Sequence, residues 1–293
     1  MRRIDKMFAN VNAPSGEVCN KHFFRQCESY ECEIDMRLMR EEKRMAKKVL
    51  IVTGGSRGIG AATAQLAAVH GYAVGIAYLR DRVAADEVAG AVRDSGGEAI
   101  AIQADVSVET DVVRLFQEVE TAFGSVTALV NNAGILERQS RVEEMDAARL
   151  SRIFATNVTG SFICAREAVR RMSTARGGAG GAIVNLSSIA ARLGAPNEYV
   201  DYAASKAAID AFTVGLAKEV AGEGIRVNAV RPGVIYTQIH ASGGEPGRVD
   251  RVKDAVPMKR GGDALEVAHA ILWLLSDQAS YTTGAVIDVA GGR

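Results

Sequence analysis

Val49-Leu50-Ile51-Val52-Thr53-Gly54-Gly55-Ser56-Arg57-Gly58-Ile59-Gly60 decides how the rest of the chain is read. The opening run is short, aliphatic and rich in β-branching, which predicts a strand buried on both faces. A glycine-rich turn follows it. An alanine-rich helical run then extends from Ala61 to His70 and closes at Gly71. The glycines stand at 54, 58 and 60. In such a turn one glycine permits the tight bend, one lets the backbone approach a pyrophosphate, and one lets helix and strand pack closely. The helix that starts here offers unpaired N–H groups and a partial positive charge to an anion. The spacing is G-x-x-x-G-x-G, not the commoner G-x-G-x-x-G, and a glycine turn alone signals no more than a bend. Its place after the first buried strand and at the head of a helix is what points to a dinucleotide.

The same alternation continues outward from that turn. Strand-like runs recur near 73–79, 98–104, 126–131, 182–187, 225–231 and 285–290, and helix-like runs near 82–95, 109–123, 143–173, 203–221 and 264–276. Alternating elements at this spacing imply right-handed crossovers and a parallel sheet. The fold class expected is α/β, a single-domain Rossmann-type doubly wound sheet of about seven strands with helices on both faces. The stretch from Gln238 to Gly262 breaks the rhythm with Gly243, Gly244, Pro246, Gly247 and Pro257. A loop this long in a compact domain is functional or mobile. Residues 47–293 are therefore expected to form the catalytic domain. Residues 1–46 show many charges and no sustained period, and are read as an N-terminal extension, disordered or upstream of a natural start at Met45.

Composition limits the function classes. The 293 residues carry 35 basic and 35 acidic side chains, and aromatics make up 5%. Without net charge or a stacking surface, nucleic-acid binding is not expected. No stretch approaches the ~18 consecutive apolar residues of a membrane span. Cys19, Cys27 and Cys32 lie in the extension and Cys164 alone lies in the body. That distribution is no disulfide framework and suits a reducing, cytoplasmic compartment.

Tyr202-Ala203-Ala204-Ser205-Lys206 sets a phenol and an ammonium on one helical face. A nearby lysine charge favours the phenolate and lowers a tyrosine pKa that is ordinarily about 10. Such a phenol serves as general acid toward a carbonyl and general base toward an alcohol. By itself the pair is common on helix surfaces, and it gains meaning only beside the glycine turn. The second strand ends in Tyr78-Leu79-Arg80 with no acid at its tip, and Asp81 comes late. Arg57 and Arg80 suit a ribose 2′-phosphate, so NADP is the expected cofactor, with NAD the alternative.

At this point the chain resembles the short-chain dehydrogenase/reductase family, and in its loop and C-terminal wording the bacterial glucose-dehydrogenase-like oxidoreductases. The resemblance rests on the Thr53–Gly60 turn, Asn131-Asn132-Ala133-Gly134, Asn157, Ser187-Ser188, Tyr202 with Lys206, and Arg231-Pro232-Gly233, in that order. It spans residues 47–293 and implies alcohol–carbonyl interconversion by hydride transfer. It implies that Tyr202 exchanges the proton and that Lys206 binds the nicotinamide ribose. Ser188 holds the substrate oxygen, and Asn157 keeps a water in a relay behind Lys206. Gly54, Ser56, Arg57, Gly58, Ile59 and Gly60 line the phosphates. Asp105 and Val106 hold the adenine, and Asn131, Ala133 and Gly134 pack along the cofactor. Pro232, Gly233, Val234, Ile235 and Thr237 flank the nicotinamide. Ser188 precedes Tyr202 by fourteen residues, one more than the usual family spacing, so Ser187 is an alternative. The resemblance also implies a small-molecule alcohol or carbonyl substrate and a homo-oligomer, a tetramer or dimer.

Other features carry less. His70 and His269 read as surface or packing residues, and His240 enters the long loop, where substrate contact is an option. Cys164 reads as a buried hydrophobe, and Trp273 as core or interface. Cys19, His22, Cys27 and Cys32 have the spacing of a zinc knuckle but the wrong ligand order, so no metal is expected. Two other functions fit the same pattern: a regulator that binds the cofactor without turnover, and an epimerase or dehydratase of a longer branch. The competent residues at all the catalytic-type positions disfavour the first, and the chain length disfavours the second.

Overall fold

A computed structural model describes residues 47–293. The N-terminal extension and its Cys19, His22, Cys27 and Cys32 lie outside the described residues. Seven strands run in parallel: β1 Lys48–Thr53, β2 Tyr72–Tyr78, β3 Glu98–Gln103, β4 Ala128–Asn131, β5 Gly181–Leu186, β6 Ile225–Pro232 and β7 Val286–Val289. They hydrogen-bond in the order β3-β2-β1-β4-β5-β6-β7. The order reverses at β1, which pairs with β2 through Leu50↔Val74 on one side and with β4 through Leu50↔Ala128 on the other. The crevice beyond the carboxyl ends of the strands at such a reversal is where α/β sheets bind ligands. This is the Rossmann-type doubly wound sheet expected from the sequence.

Alternate residues of each strand feed opposite cores, as the pleat requires. Leu50, Val52, Val74 and Ile76 pack against α1 (Gly58–Val69), α2 (Arg82–Asp94) and α10 (Ala264–Leu275). Val49, Ile51, Leu129 and Ile183 pack against α3 (Glu109–Phe123), α5 (Gly160–Met172) and α7 (Val200–Val220). Burying both faces explains why the strands read as unbroken apolar runs. One polar line crosses this interior. Asn131 donates to Asn185 Oδ1 at 2.9 Å and to the Ser161 carbonyl at 3.1 Å, and Asn185 donates to Thr213 at 2.9 Å. Cys164 is fully buried, and burial pushes its thiol up to about 12, as befits an inert hydrophobe. Trp273 is 40% exposed and so is not a core residue. No helix among the described residues is long and apolar enough to cross a membrane.

Two stretches differ from the sequence expectation. The helix expected over 143–173 is divided into α4 (Ala147–Phe154), a π-helical turn over Ala155–Thr159 and α5. The break falls where the Asn157 carboxamide reaches the main chain of Ile135, accepting from its N–H at 2.8 Å and donating to its carbonyl at 3.1 Å. Such local turns collect at functional sites. The stretch 238–262, expected as loop, contains two short helices, α8 (Ile239–Ser242) and α9 (Arg248–Val252). A further short helix, α6 (Ala190–Leu193), precedes α7.

Candidate active site

The glycine turn is built by its neighbours as much as by its glycines. Gly54 and Gly58 take φ of +62° and +54°, which side chains disfavour. A Cβ on Gly60 would stand 2.3 Å from the Gly54 carbonyl oxygen, so only glycine lets the helix start this close to the turn. Asn132 Nδ2 donates to the carbonyls of Thr53 and Gly54 at 2.8 and 2.9 Å. The Thr53 hydroxyl accepts from the N–H groups of Asn132 and Ala133, both at 3.0 Å. Arg57 caps α1 without a side-chain bond, which leaves the first-turn N–H groups facing outward.

That turn lines a cavity of about 540 Å³. Its wall includes Gly54, Ser56, Arg57, Gly58 and Ile59 at one side, Arg80 and Asp81 at the second strand, and Asp105 and Val106 at the third. Ala133, Gly134 and Thr237 also line it. Asp81 is already engaged: its carboxylate caps α2 by accepting from the Ala84 N–H at 3.0 Å. Asp105 accepts from Ser107 through both its N–H, at 2.9 Å, and its hydroxyl, at 2.7 Å. Gly60 serves by close packing, and the Asn131 side chain lies in the polar line inside the sheet; the neighbouring Asn132 faces the cavity instead.

A second cavity of about 380 Å³ adjoins the first through Ile59, Asn132, Gly134, Leu136, Thr237 and Ile239, which line both. It contains Ser187, Ser188, Tyr202, Lys206, Pro232, Gly233, Val234 and Ile235. α7 thus delivers Tyr202 and Lys206 to one wall, and the end of β5 delivers the serines. The two serines differ in engagement. Ser187 donates to the Lys206 carbonyl at 3.1 Å, whereas Ser188 accepts from the Ala190 N–H at 3.1 Å and has a hydroxyl near enough to the Tyr202 phenol to oppose the rise in its pKa. Geometry therefore sets Ser188, not Ser187, beside the phenol.

The charges depart from the simple expectation of a tyrosine lowered by its lysine. Burial raises the Tyr202 phenol, and the Ser188 hydroxyl opposes that rise. The Lys206 Nζ stands 5.6 Å from the Tyr202 ring centroid and donates to the Leu186 carbonyl at 2.6 Å. Burial brings the Lys206 ammonium down to about 8, with Asp210 opposing. An ammonium has three protons to give, so Leu186 accounts for one of them.

Asn157 is fully buried, and its Nδ2 also donates to the Ser205 hydroxyl at 3.1 Å. Its carboxamide therefore holds the Gly134–Leu136 segment in place. A Cβ on Gly134 would lie 3.4 Å from Lys206 Nζ and 3.5 Å from Asn157 Oδ1, so this glycine sits between the two groups. Sequence reading passed over Arg149 and Asp201, a buried ion pair at 2.7 Å. Asp201 accepts from the Tyr202 N–H at 2.9 Å, and Arg149 donates to the Arg138 carbonyl at 2.8 Å. The pair ties the first turn of α7 to α4 and to the loop after β4. An acid directly before the tyrosine was the available signal, but its partner lies 52 residues away in sequence.

Known proteins resemble this chain over most of its length. A family model described as enoyl-(acyl carrier protein) reductase matches residues 54–293. The uncharacterized oxidoreductase YgfF of Escherichia coli K12 is 60% identical, over 84% of this chain and 99% of its own. The cis-4-hydroxycyclohexanecarboxylate dehydrogenase of Sinomonas cyclohexanicum is 42% identical, over 84% of this chain and 96% of its own. A crystallised dehydrogenase/reductase from Sinorhizobium meliloti superposes with a TM-score of 0.78 at 32% identity, over 84% of this chain and 95% of its own.

Proposed function

The chain belongs to the short-chain dehydrogenase/reductase family, and we propose that within it this protein interconverts an alcohol and a carbonyl with NADP as hydride carrier. One observation carries the reading: Tyr202, Lys206 and Ser188 line a cavity that opens into the one walled by the glycine turn. The residues of both cavities fit the dinucleotide. The first turn of α1 and the Gly54–Ile59 segment receive the phosphates. Asp105 and Val106 flank the adenine, with Ala133 and Gly134 along the cofactor's length. Pro232, Gly233, Val234, Ile235 and Thr237 flank the nicotinamide. Lys206 turns its remaining protons to the nicotinamide ribose. When bound, the nicotinamide gives or takes the hydride.

The protein's own part is proton handling and placement. Ser188 donates to the substrate oxygen and keeps it beside the phenol. In reduction Tyr202 Oη gives its proton to that oxygen, and in oxidation it takes the proton back. A lysine charge near the phenol favours the phenolate that oxidation needs. Asn157 supports the arrangement by holding the Ile135 main chain beside Lys206, and it keeps a relay water behind that lysine. NADP is favoured over NAD because Arg57 and Arg80 line the cavity while Asp81 is committed to its helix cap.

The same reading extends to the assembly. Leu150, Phe154, Phe162 and Val214 are exposed apolar residues on α4, α5 and α7, and they suit association into a dimer or tetramer. Residues 47–293 are taken as the catalytic domain, and the cytoplasm as its compartment. The test is Tyr202→Phe. Turnover of carbonyls should fall by about 10²–10⁴-fold, while NADPH still quenches or enhances fluorescence as it does with the parent. A variant that keeps most of its rate overturns the assignment.

A further inference from the structure

The segment between β6 and α10 is held down by charge. Arg248 pairs with Glu198 and, at 3.1 Å, with Glu245. Arg251 pairs with Glu245 and, at 3.1 Å, with Glu198. Gln139 Nε2 donates to Glu245 Oε2 at 2.8 Å, and the Arg248 guanidinium lies 4.9 Å over the Tyr199 ring. Three parts of the chain meet here: the α8–α9 segment, the loop after β4, and the turn that leads through Glu198 and Tyr199 into α7. Single exposed ion pairs hold little. These four share two carboxylates and two guanidiniums, and an amide and an aromatic ring reinforce them. Arg251 and Arg248 hold the Glu245 carboxyl down to about 2, so the network stays ionised at neutral pH.

The segment is also seated by shape. Gly243, at the end of α8, lies so close to the loop after β4 that a Cβ would meet Leu136 Cδ2 at 2.9 Å and Tyr199 Oη at 3.4 Å. Ile239, His240 and Arg248 of this segment line the 380 Å³ cavity together with Leu193, Pro196 and Tyr199. That volume is near the lower end of ligand cavities, which run from about 300 to 1,000 Å³. Glu245 and Arg251 themselves lie outside the cavity lining.

We propose that Glu198, Glu245, Arg248 and Arg251 form a latch that fixes the α8–α9 segment over the substrate cavity and so selects a compact, carrier-free carbonyl or alcohol. The redox chemistry assumed here rests on the function proposed above. The latch lets the cavity enclose a small ring or short chain between Leu136, Leu193 and Tyr199. A substrate tethered to a carrier protein needs the mouth open and sets its tether against the paired charges. Glu245 and Arg251 are thus specificity-determining residues that act through the position of the segment.

Arg251→Met and Glu245→Gln test this, with Gly243→Ala as a variant that unseats the segment without changing charge. Parent and variants are assayed with NADPH on a substituted cyclohexanone and on acetoacetyl-loaded acyl carrier protein. The parent should prefer the ring ketone in kcat/KM, and each variant should lower that preference by about tenfold, an energy of about 1.4 kcal/mol. A parent that prefers the carrier-bound substrate, or variants that leave the ratio unmoved, overturns the proposal. Amide hydrogen exchange over residues 238–255 gives a readout that needs no turnover. It should quicken in all three variants while exchange in the sheet stays as in the parent, and unchanged protection also overturns the latch. If the parent reduces neither compound, the redox reading fails, and hydrogen exchange still decides the latch.

Discussion

Replacing Asn157 by alanine is the perturbation whose cost the structure lets us work out most directly. The carboxamide is fully buried and makes three hydrogen bonds: from the Ile135 N–H at 2.8 Å, to the Ile135 carbonyl at 3.1 Å and to the Ser205 hydroxyl at 3.1 Å. Ser205 keeps its own bond to the Tyr202 carbonyl at 2.7 Å, so it loses little. The Ile135 N–H is different, because the carboxamide is its partner and a stranded donor costs about 1–3 kcal/mol. The Ile135 carbonyl and the space left by the missing amide add to that, for a total of about 2–4 kcal/mol. Urea denaturation should show this as a lower midpoint at unchanged slope. Carbonyl reduction should fall as well, since Gly134 and Leu136 beside the loosened residue line both cavities. A variant within about 0.5 kcal/mol of the parent, the range of ordinary surface changes, refutes the clamp.

Lys206 gives a prediction in pH. Burial lowers its ammonium to about 8, while the unfolded chain keeps an ordinary lysine, so between those values the unfolded state holds more protons. Stability without cofactor should therefore rise with pH across that window, and the burial penalty should be in full force below it. Lys206→Met removes this rise; parallel urea midpoints from pH 7 to 10 in parent and variant would contradict it. For the cofactor, Arg57→Ala and Arg80→Ala should each raise the KM for NADPH by about 10–100-fold, the worth of a hydrogen bond to a charged group. The KM for NADH should stay put, and equal losses with both cofactors would remove the case for a 2′-phosphate site.

The fold was legible because its signals are local. Val49–Val52 is apolar throughout since the strand is covered on both faces, and Gly54, Gly58 and Gly60 mark a bend that other residues cannot make. The phenol and ammonium of Tyr202 and Lys206 could be paired by helical spacing, and they do share a cavity. What stayed hidden depends on contacts distant in sequence. The π-helical turn at Ala155–Thr159 interrupts a continuous helical pattern, because a carboxamide's partner on another loop leaves no trace in periodicity. Arg149 with Asp201, and Glu198 with Arg248, join positions 52 and 50 residues apart. The direction of the Tyr202 shift was hidden for the same reason. Burial of the phenol sets that direction, and helical spacing does not show how deeply the phenol lies or that the Lys206 ammonium donates to the Leu186 carbonyl.

The amides of Asn131 and Asn185 have a consequence for how the sheet finds its alignment. β4 and β5 are otherwise apolar, Ala128-Leu129-Val130 beside Ala182-Ile183-Val184, and greasy side chains of similar girth tolerate sliding past one another. A slide of two positions keeps every side chain on its proper face, so the hydrophobic effect discriminates poorly against it. It would, however, pull Asn131 from Asn185, leaving carboxamides unmet in a dry interior. The two asparagines thus veto the mispaired alternatives and bring the ends of β4 and β5, from which Gly134 and Ser188 follow, to a single common height.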